Sequence, residues 1–560
     1  MFGFRKKRTY HDVDPDEIFL DSQNLPQFNT QQFEGVIERP LSKINFTLIV
    51  IVFALVMAFF IIRLGVLQIQ RGEAFFAQSE SNRLHRTTLF SERGIIYDRH
   101  GVELAWNVPG SDDEPFSYRA YYRDPGLAHV LGFVRYPRRD TSGFFWRFNF
   151  EGASGAELLY DQELQGIHGV KLVEVDARRI IHSEGAITEP VDGTNVHLTI
   201  DGPLQAELHR NMARMVNEFS YTGGTAIIMD IQEGDIIALT SYPEFDPHVI
   251  SRGTDTEAIR RYFEDRTKPS LNRAVSGLYT PGSIVKPFIA LGMLQEDIIT
   301  PSTTVSSTGR IEIPNPWNPA QPAVFRDWRP EGHGATDIYH AVADSVNTFF
   351  YVFGGGFQGR QGIGISKIHE YLTMFQLGEP TSFVLGAGPS GVIPHPEWKR
   401  RVFKDGTWRV GDTYNTVIGQ FGMQVTPMQV MRATAALANK GTLVNPRLSL
   451  HEPITLTSVH GISAQNYEII HDAMRQTVTA GTAQILNVPY VQAAVKTGTA
   501  QTRGNTRVNA WSIGFWPVDN PRYAYTIVME EGPARDNVGS TWAIRQTFDW
   551  IRDHAPQYFE

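Results

Sequence analysis

The chain has 560 residues, of which 42% are hydrophobic, 11% aromatic and 20% charged; this usage excludes a wholly disordered or fibrous protein and leaves room for about three or four domains. The formal net charge of −9 argues against nucleic acid as a partner, because nucleic-acid-binding proteins normally carry a surplus of basic residues. Cysteine is absent, which excludes disulfides, thiolate metal sites and cysteine nucleophiles and leaves only oxygen or nitrogen nucleophiles.

An uncharged apolar run near the amino terminus predicts a membrane-spanning helix. Residues 44–62 contain no charged side chain, and Lys43 and Arg63 flank them. As a helix the run is about 28 Å long, which matches the hydrocarbon core of a bilayer. Its length and the lack of a small-residue cleavage site favour a retained anchor over a signal peptide, and the lack of a polar stripe disfavours a buried core helix.

The basic residues on either side of this run predict its orientation. Arg63 and Arg71 follow it, whereas six basic residues precede it: Arg5, Lys6, Lys7, Arg8, Arg39 and Lys43. A short basic tail stays in the cytoplasm, so the chain after Arg63 is predicted to lie outside the cytoplasmic membrane. That location disfavours ATP chemistry, and the sequence contains no G-x-x-x-x-G-K-[ST] loop.

Two regions of different pattern follow the predicted anchor. From Leu64 to about Pro190, short extended pieces among Arg, Tyr, Phe and Gly predict an irregular β-rich module. Beyond a linker-like stretch, strands, then helices, then strands predict an α+β layer structure. The elements predicted there are a strand over 196–200, a helix over 204–219, a hairpin over 225–240, extended runs near 493–496 and 510–515, and a carboxyl-terminal helix from about Thr541.

A serine and a lysine three residues apart suggest a hydroxyl nucleophile with an amine base. Ser283 and Lys286 would share one face of a helix, and Pro287 places Ser283 in about the first turn, because proline lacks the N–H that a helix interior needs. Of the eleven lysines, only Lys286 has a serine at this offset. A lysine pKa of about 10.4 requires burial or a nearby cation before the amine can act as a base near neutrality. The alternative is a surface helix without chemical role.

Two later motifs supply further polar groups. Ser345-Val346-Asn347 offers a hydroxyl to relay a proton and an amide to hold a peptide carbonyl, although Ser-x-Asn also occurs at residues 22–24 and 270–272. Lys496-Thr497-Gly498-Thr499 ends an apolar run and predicts a strand with a cation, two hydroxyls and a bare backbone. Such a strand suits an extended peptide that carries a carboxylate, and a solvated edge strand is the alternative.

In this order behind a membrane anchor, these motifs resemble those of the class B penicillin-binding proteins of the elongation type. Ser283 with Lys286, Ser345 with Asn347, and Lys496 to Thr499 match the family's Ser-x-x-Lys, Ser-x-Asn and Lys-Thr-Gly motifs. Segments 326–334 and 408–413 favour the elongation type over the septal type. Further family-like context lies at residues 92–99, 198–201, 272–274 and 426–429.

The resemblance implies an α+β fold: a single amino-terminal membrane-spanning helix, a β-rich pedestal, and a penicillin-binding/β-lactamase-like transpeptidase domain. The latter has an antiparallel sheet flanked by helices and an all-helical subdomain. The expected domains are a cytoplasmic tail over 1–43, the membrane helix over 44–63, the pedestal over 64–195 and the transpeptidase domain over 196–560. Between Asn107 and His129 the chain is shorter than is usual in relatives, so we expect a reduced head on the pedestal.

The activity that the resemblance implies is D,D-transpeptidation, the cross-linking of peptidoglycan stem peptides outside the bacterial inner membrane. An amine of a neighbouring strand would accept the acyl group of a D-Ala-D-Ala donor, and β-lactams would acylate the same serine. The implied roles are nucleophile for Ser283, base for Lys286, proton relay for Ser345, donor orientation for Asn347, positive potential for Lys496, substrate binding for Thr497, Gly498 and Thr499, and oxyanion binding for the N–H groups of Ser283 and Thr499.

The resemblance also implies a partner, and the sequence differs from the family pattern at one motif. A glycan polymerase of the shape, elongation, division and sporulation (SEDS) family is the expected partner in the membrane. Gly419-Gln420-Phe421-Gly422 departs from the Gly-Gln-Gly of relatives. Some relatives bind zinc through Asp, His and Cys; Asp327 and His333 match, but no cysteine exists, so we predict no metal and no cofactor.

Other functions remain open at this point. A D,D-carboxypeptidase would pass the acyl group to water, and a β-lactamase or β-lactam sensor shares the three motifs. A non-catalytic scaffold that regulates the polymerase is the alternative from a different class, although all three motifs are intact.

Overall fold

The computed structural model describes residues 43–75, 84–111, 114–141, 145–175, 181–315, 318, 320–381, 383, 385–386, 388–534 and 539–560. Apart from Lys43, the predicted cytoplasmic tail lies outside these residues, and with it most of the basic residues on which the orientation depends. The chain divides into two compact units. One comprises the residues up to His85 with Glu174–His182, and the other comprises Arg86–Val173 with Ser183–Glu560.

In the first unit, the predicted anchor is a helix, α1 (Lys43–Gly65), which continues as a π-helical turn over Val66–Gln70. The 23 residues of α1 would span about 35 Å. None of its side chains is buried, so an apolar surface is presented around the whole circumference. Among the described residues, this is the one helix long and apolar enough to cross a membrane, and lipid is the solvent that suits such a surface.

The amino-terminal part of the second unit is rich in short strands, as predicted. The elements between Leu84 and His197 are β1 (Leu84–Leu89), β2 (Ile96–Tyr97), β3 (Glu103–Val108), β4 (Tyr118–Tyr121), α2 (Ala128–Leu131), β5 (Val134–Arg135), β6 (Arg138–Arg139), β7 (Phe145–Arg147), β8 (Glu151–Gly152), α3 (Gly155–Leu159), α4 (Asp161–Gln165), β9 (Gly169–Val175), β10 (Ile181–Thr188) and β11 (Val196–His197). The central sheet has the order β11-β2-β3-β4, and β5–β8 and β6–β7 are two-stranded.

A buried ionic cluster joins the strands of this part to its helices. Glu157 in α3 is fully buried and pairs with Arg93 at 2.6 Å and with Arg119 at 2.7 Å. Burial by itself would raise the pKa of Glu157, but the charges and hydrogen bonds of Arg119 and Arg93 lower it below the ordinary value. Arg93 belongs to the family-like segment 92–99, so the structure gives that segment a packing role.

The core of the carboxyl-terminal part is a five-stranded antiparallel sheet of order β13-β12-β22-β21-β20. The hairpin predicted over 225–240 is confirmed. The predicted strand over 196–200 is limited to β11, because Thr199 turns away and donates its N–H to Leu448 O. The strands are β12 (Gly223–Asp230), β13 (Ile236–Tyr242), β20 (Ala494–Thr502), β21 (Arg507–Trp516) and β22 (Tyr523–Pro533), and the last was not predicted.

Helices cover both faces of this sheet. Leu208 of α5 (Gly202–Phe219) and Phe548 of α17 (Thr541–His554) share one core cluster, and Phe288 belongs to the other, larger cluster. The remaining helices are α6 (Pro247–Arg252), α7 (Thr256–Glu264), α8 (Arg273–Ser276), α9 (Lys286–Gln295), α10 (Ile338–Ala343), α11 (Asn347–Gly355), α12 (Gly364–Met374), α13 (Pro396–Val402), α14 (Val410–Val417), α15 (Pro427–Ala438) and α16 (Ala464–Thr479).

The helical subdomain that supplies the Ser-x-Asn motif also contains short strands. β14 (Val305–Ser307) pairs with β17 (Gly334–Thr336), and β15 (Arg310–Ile313) pairs with β16 (Ala323–Arg326). These two sheets bring segment 326–334 to the amino terminus of α11, close to Asn347. A third short pair, β18 (Thr442–Val444) with β19 (Leu456–Ser458), lies elsewhere in the domain.

Candidate active site

Ser283 lies on a tight turn that leads directly into α9. Gly282–Val285 forms a 3-10 helix, and α9 begins at Lys286 with Pro287 in its first turn, so the predicted first-turn position of Ser283 is 3-10 rather than α-helical. Gly282 has a φ of 60° and donates its N–H to Gly419 O. A Cβ at Gly282 would lie 2.9 Å from Thr499 O. Glycine therefore allows β20 to approach the backbone beside Ser283.

Lys286 is fully buried, and its amine is held by the Ser-x-Asn motif. Nζ donates to Ser345 O at 2.8 Å, to Asn347 Oδ1 at 2.7 Å and to Ser345 Oγ at 3.3 Å. Burial lowers the pKa of Lys286 to about 7, and the charge of Asp327 opposes part of this change. The sequence required such a change for a base, and the buried position supplies it. Within the described residues, Ser283 Oγ has no hydrogen-bond partner.

Ser345 stands between two lysines. Its Oγ accepts from Lys496 Nζ at 2.9 Å as well as from Lys286 Nζ. Its backbone has a φ of 56°, a left-handed conformation that is uncommon for a serine and concentrates at functional sites. With both lone pairs of the hydroxyl engaged, its proton is free to be donated to a third group.

Lys496 lies in β20 and is fully buried beside Lys286. Nζ donates to Thr497 O at 2.7 Å as well as to Ser345. Burial lowers the pKa of Lys496 well below its ordinary value, and the neighbouring charge of Lys286 lowers it further. The charge of Lys286 therefore disfavours the charged form of Lys496.

Among the described strands, β20 pairs only with β21 and so forms an edge of the sheet, and it lies against the turn of Ser283. A Cβ at Gly498 would lie 2.8 Å from Ile284 Cγ2 and 3.0 Å from Pro281 O, so a side chain there would push the strand away. Thr497 Oγ1 and Thr482 Oγ1 are 2.6 Å apart, and Thr499 is exposed. The outer edge of the strand is open to an extended peptide.

Asn347 begins α11, and Asp327 holds that helix end in place. Asp327 Oδ2 accepts from Thr348 N and from Thr348 Oγ1, both at 3.0 Å. Asp327 is buried, and its charge raises the pKa of Lys286. The sequence indicated Asp327 only as a possible metal ligand, because the pattern around it contains no hint of a contact with α11.

The zinc ligands of some relatives are not reproduced here. His333 Nε2 lies 3.7 Å from Asp327 Oδ1. Within the described part of the chain, no group of three or more His, Cys, Asp or Glu side chains is placed to hold a metal ion. Structural zinc requires about four nitrogen, sulfur or oxygen ligands, so these residues do not fit it. The expectation of no metal stays a prediction.

Phe421, the residue at which the sequence departs from the Gly-Gln-Gly of relatives, is part of an aromatic cluster beside the turn that carries Ser283. Its ring stacks on Phe403 at 5.8 Å, and Trp398 and Trp408 meet it edge-on. Phe421 has a φ of 61°, and Gly419 and Gly422 on either side of it also have positive φ. The sequence marked this position as unusual, but only the structure relates it to the Gly419 contact with Gly282.

The chain is similar in sequence to known proteins. Residues 224–545 match the penicillin binding protein transpeptidase domain, and residues 108–198 match the penicillin-binding protein dimerisation domain. The peptidoglycan D,D-transpeptidase MrdA of Haemophilus influenzae is 28% identical over 494 residues, which cover 81% of this chain and 72% of that protein.

Solved structures show the same fold. PBP2 of Pseudomonas aeruginosa in complex with WCK 5153 has a TM-score of 0.69 and 28% identity, with 85% of this chain and 100% of that chain covered. A chain of a peptidoglycan synthase complex, described for its structural coordination of polymerization and crosslinking, has a TM-score of 0.69, 24% identity, and covers 92% and 98%. The match to the dimerisation domain and the likeness to MrdA and to PBP2 indicate class B and the PBP2 type. Since the transpeptidase model matches more than half of the sequence, the chain belongs to the penicillin-binding proteins, and with these likenesses to their class B PBP2 type.

Proposed function

We propose that the chain is a membrane-anchored peptidoglycan D,D-transpeptidase that cross-links stem peptides through a serine acyl-enzyme during cell-wall elongation. The observation that carries the proposal is the burial of Lys286 with a pKa of about 7, held by Ser345 and Asn347 one helical turn from Ser283. An amine that is largely neutral near pH 7 can take the proton of a serine hydroxyl, whereas an ordinary lysine cannot.

In the proposed acylation, neutral Lys286 removes the proton of Ser283 as Oγ attacks the carbonyl between the two terminal D-alanines. The backbone N–H groups of Ser283 and Thr499 bind the oxyanion, and each such donor is typically worth about 10²–10³ in rate. Ser345 passes its proton to the departing nitrogen and regains one from the protonated amine. The last D-alanine leaves, and the penultimate D-alanine remains as an ester on Ser283.

The donor peptide is proposed to lie along the open edge of β20. Its terminal carboxylate would meet the hydroxyls of Thr497 and Thr499 near the amine of Lys496, with Gly498 allowing the close approach of the backbone. Asn347 would orient the peptide from the opposite wall. An antiparallel pairing of this kind gives affinity through backbone hydrogen bonds, and the hydroxyls add selectivity for the carboxylate.

An amine from a neighbouring strand then attacks the ester and completes the cross-link. A β-lactam places its strained amide at the same carbonyl position, so it would acylate Ser283 too. A carboxypeptidase or β-lactam sensor would use the same groups, and a scaffold would not need them. The matches to a transpeptidase domain and a dimerisation domain favour cross-linking over the carboxypeptidase and the β-lactam sensor. The intact arrangement of Lys286, Ser345 and Lys496 disfavours the scaffold.

The domain boundaries and the location belong to the same proposal. We assign 1–43 to a cytoplasmic tail, 44–63 to the membrane helix, 64–195 to the pedestal and 196–560 to the transpeptidase domain, with the catalytic part outside the bacterial inner membrane. A SEDS-family glycan polymerase is the proposed partner. The fold shared with a chain of a peptidoglycan synthase complex supports this choice.

Labelling with a fluorescent penicillin tests the proposal. The full-length chain in detergent should form a stable adduct, and Ser283→Ala should form none. Ser302→Ala changes an exposed serine and should be labelled like the wild type. An unlabelled wild type would favour the scaffold. With lipid-linked nascent glycan and its polymerase, dimeric muropeptides are the expected product, and trimmed monomers alone would favour the carboxypeptidase.

A further inference from the structure

A polar cavity lies at the far end of β20, beyond the Lys496 to Thr499 segment. It has a volume of about 500 Å³ and is lined by Thr502 at the end of β20, by the neighbouring ends of β21 and β22, and by residues between 266 and 279. None of the proposed catalytic residues lines it. The cavity is therefore a separate feature on the same strand.

The cavity is rich in positive charge. Five basic and two acidic side chains line it. The acidic ones are already engaged: Glu530 accepts from Arg273 Nε at 2.8 Å and from Tyr279 OH at 2.5 Å, and Glu531 pairs with Arg503 at 2.7 Å. The cavity thus keeps an excess of cations after its internal ion pairs are counted.

Two of these cations have no partner in the part of the chain that the structure describes. Arg266 and Lys268 line the cavity and are exposed, and neither side chain has a hydrogen bond or ion pair with another described residue. Thr502 Oγ1 is buried and also lacks a hydrogen-bond partner in the described structure. Buried polar atoms are normally satisfied, and guanidinium and ammonium groups that line the same cavity as such an atom favour an anion, above all a carboxylate or phosphate.

A donor peptide that lies along β20 would bring one of its own anionic groups to the cavity. A donor whose terminal carboxylate lies at Thr497 and whose scissile carbonyl lies at Thr499 continues upstream towards Thr502, antiparallel to the strand. The three residues from Thr499 to Thr502 span about 10 Å. When extended, the acylated D-alanine and the two residues upstream of it together cover a similar distance. A group at that position of the donor would meet the cavity.

We propose that this cavity is a carboxylate subsite for the donor peptide, in which Arg266 and Lys268 bind the free carboxylate of the residue two positions upstream of the acylated D-alanine. The subsite rests on the proposed transpeptidase function, since only a donor seated on β20 presents a group there. Its chemical consequence is selectivity: a donor with a free carboxylate at this position is preferred over one in which that carboxylate is an amide.

A pair of thioester donors tests the subsite. N-acetyl-L-Ala-γ-D-Glu-L-Lys-D-Ala-thioglycolate carries the free α-carboxylate, and its matched analogue carries an α-carboxamide on the second residue. Acylation of Ser283 releases a thiol that is measured by absorbance. Full-length wild type should use the carboxylate donor about tenfold better in kcat/KM, the effect of one lost charged hydrogen bond.

The variant Arg266→Gln/Lys268→Gln should lose this preference, because its kcat/KM should fall with the carboxylate donor and not with the carboxamide donor. Its labelling by penicillin should equal that of the wild type, which also shows that it folds. Arg135→Gln/Lys404→Gln removes two exposed cations elsewhere and should keep the preference.

The outcomes separate the two proposals. If penicillin labels the wild type but both donors react equally, or if the double variant keeps the wild-type preference, the subsite is refuted and the transpeptidase function stands. If the folded wild type is neither labelled nor releases thiol, the proposed function fails, and the subsite fails with it.

Discussion

The pKa of Lys286 predicts how the acylation of Ser283 depends on pH. Burial lowers this pKa from 10.5 to about 7. At pH 7 about half of the molecules would carry the neutral base, whereas a lysine with a pKa of about 10.4 would be neutral in about 1 molecule in 2,500. The buried position therefore supplies about a thousandfold more active base at neutral pH. The acylation rate should rise with pH through about 7 and level off above it.

The substitution Asp327→Asn tests the direction in which the charge of Asp327 shifts the pKa of Lys286. The carboxylate of Asp327 stabilises the charged form of Lys286, so neutralising it should lower the pKa of the lysine further and move the rising limb to lower pH. The asparagine keeps an oxygen that accepts from Thr348, so α11 should stay in place. The plateau rate at high pH should change little, because Lys286 is neutral there in both proteins.

Stopped-flow acylation with a fluorescent penicillin between about pH 5.5 and 9 measures both profiles. Asp255→Asn, at the exposed start of α7, is the matched control and should reproduce the wild-type curve. A wild-type rate that is still rising steeply at pH 9 would show that Lys286 is not a buried neutral base. A limb that Asp327→Asn moves to higher pH would refute the electrostatic reasoning.

Two further predictions concern a close backbone contact and a buried ion pair. Gly419→Ala should abolish penicillin labelling, because a Cβ there would lie 2.1 Å from Gly282 O, whereas Gly461→Ala, with a similar positive φ but open space, should be labelled normally. Glu157→Gln should destabilise the pedestal by about 3–5 kcal/mol in urea unfolding, because two buried arginines lose their counter-ion. Glu151→Gln, at a partly exposed pair, should cost less than about 1 kcal/mol, and equal effects of the two glutamates would contradict the argument.

The sequence predicted the elements whose pattern is local. An uncharged run indicates α1, alternation about a glycine turn indicates β12 and β13, and a proline after Lys286 indicates where the serine helix begins. Spacing along one turn also placed Ser283 and Lys286 together. These features depend on residues within a few positions of one another, so no tertiary contact was needed to infer them.

Only the tertiary structure decided the electrostatics. Lys286 meets Ser345 across 59 residues and Lys496 meets Ser345 across 151 residues, and burial of these amines depends on how α9, α11 and β20 pack together. The insertion of β22 between β12 and β21 leaves β20 as the open edge, which no local pattern encodes. Composition and spacing fix which groups are available, but solvent exclusion is a property of the packed assembly, and it is solvent exclusion that turns a surface cation into a neutral base.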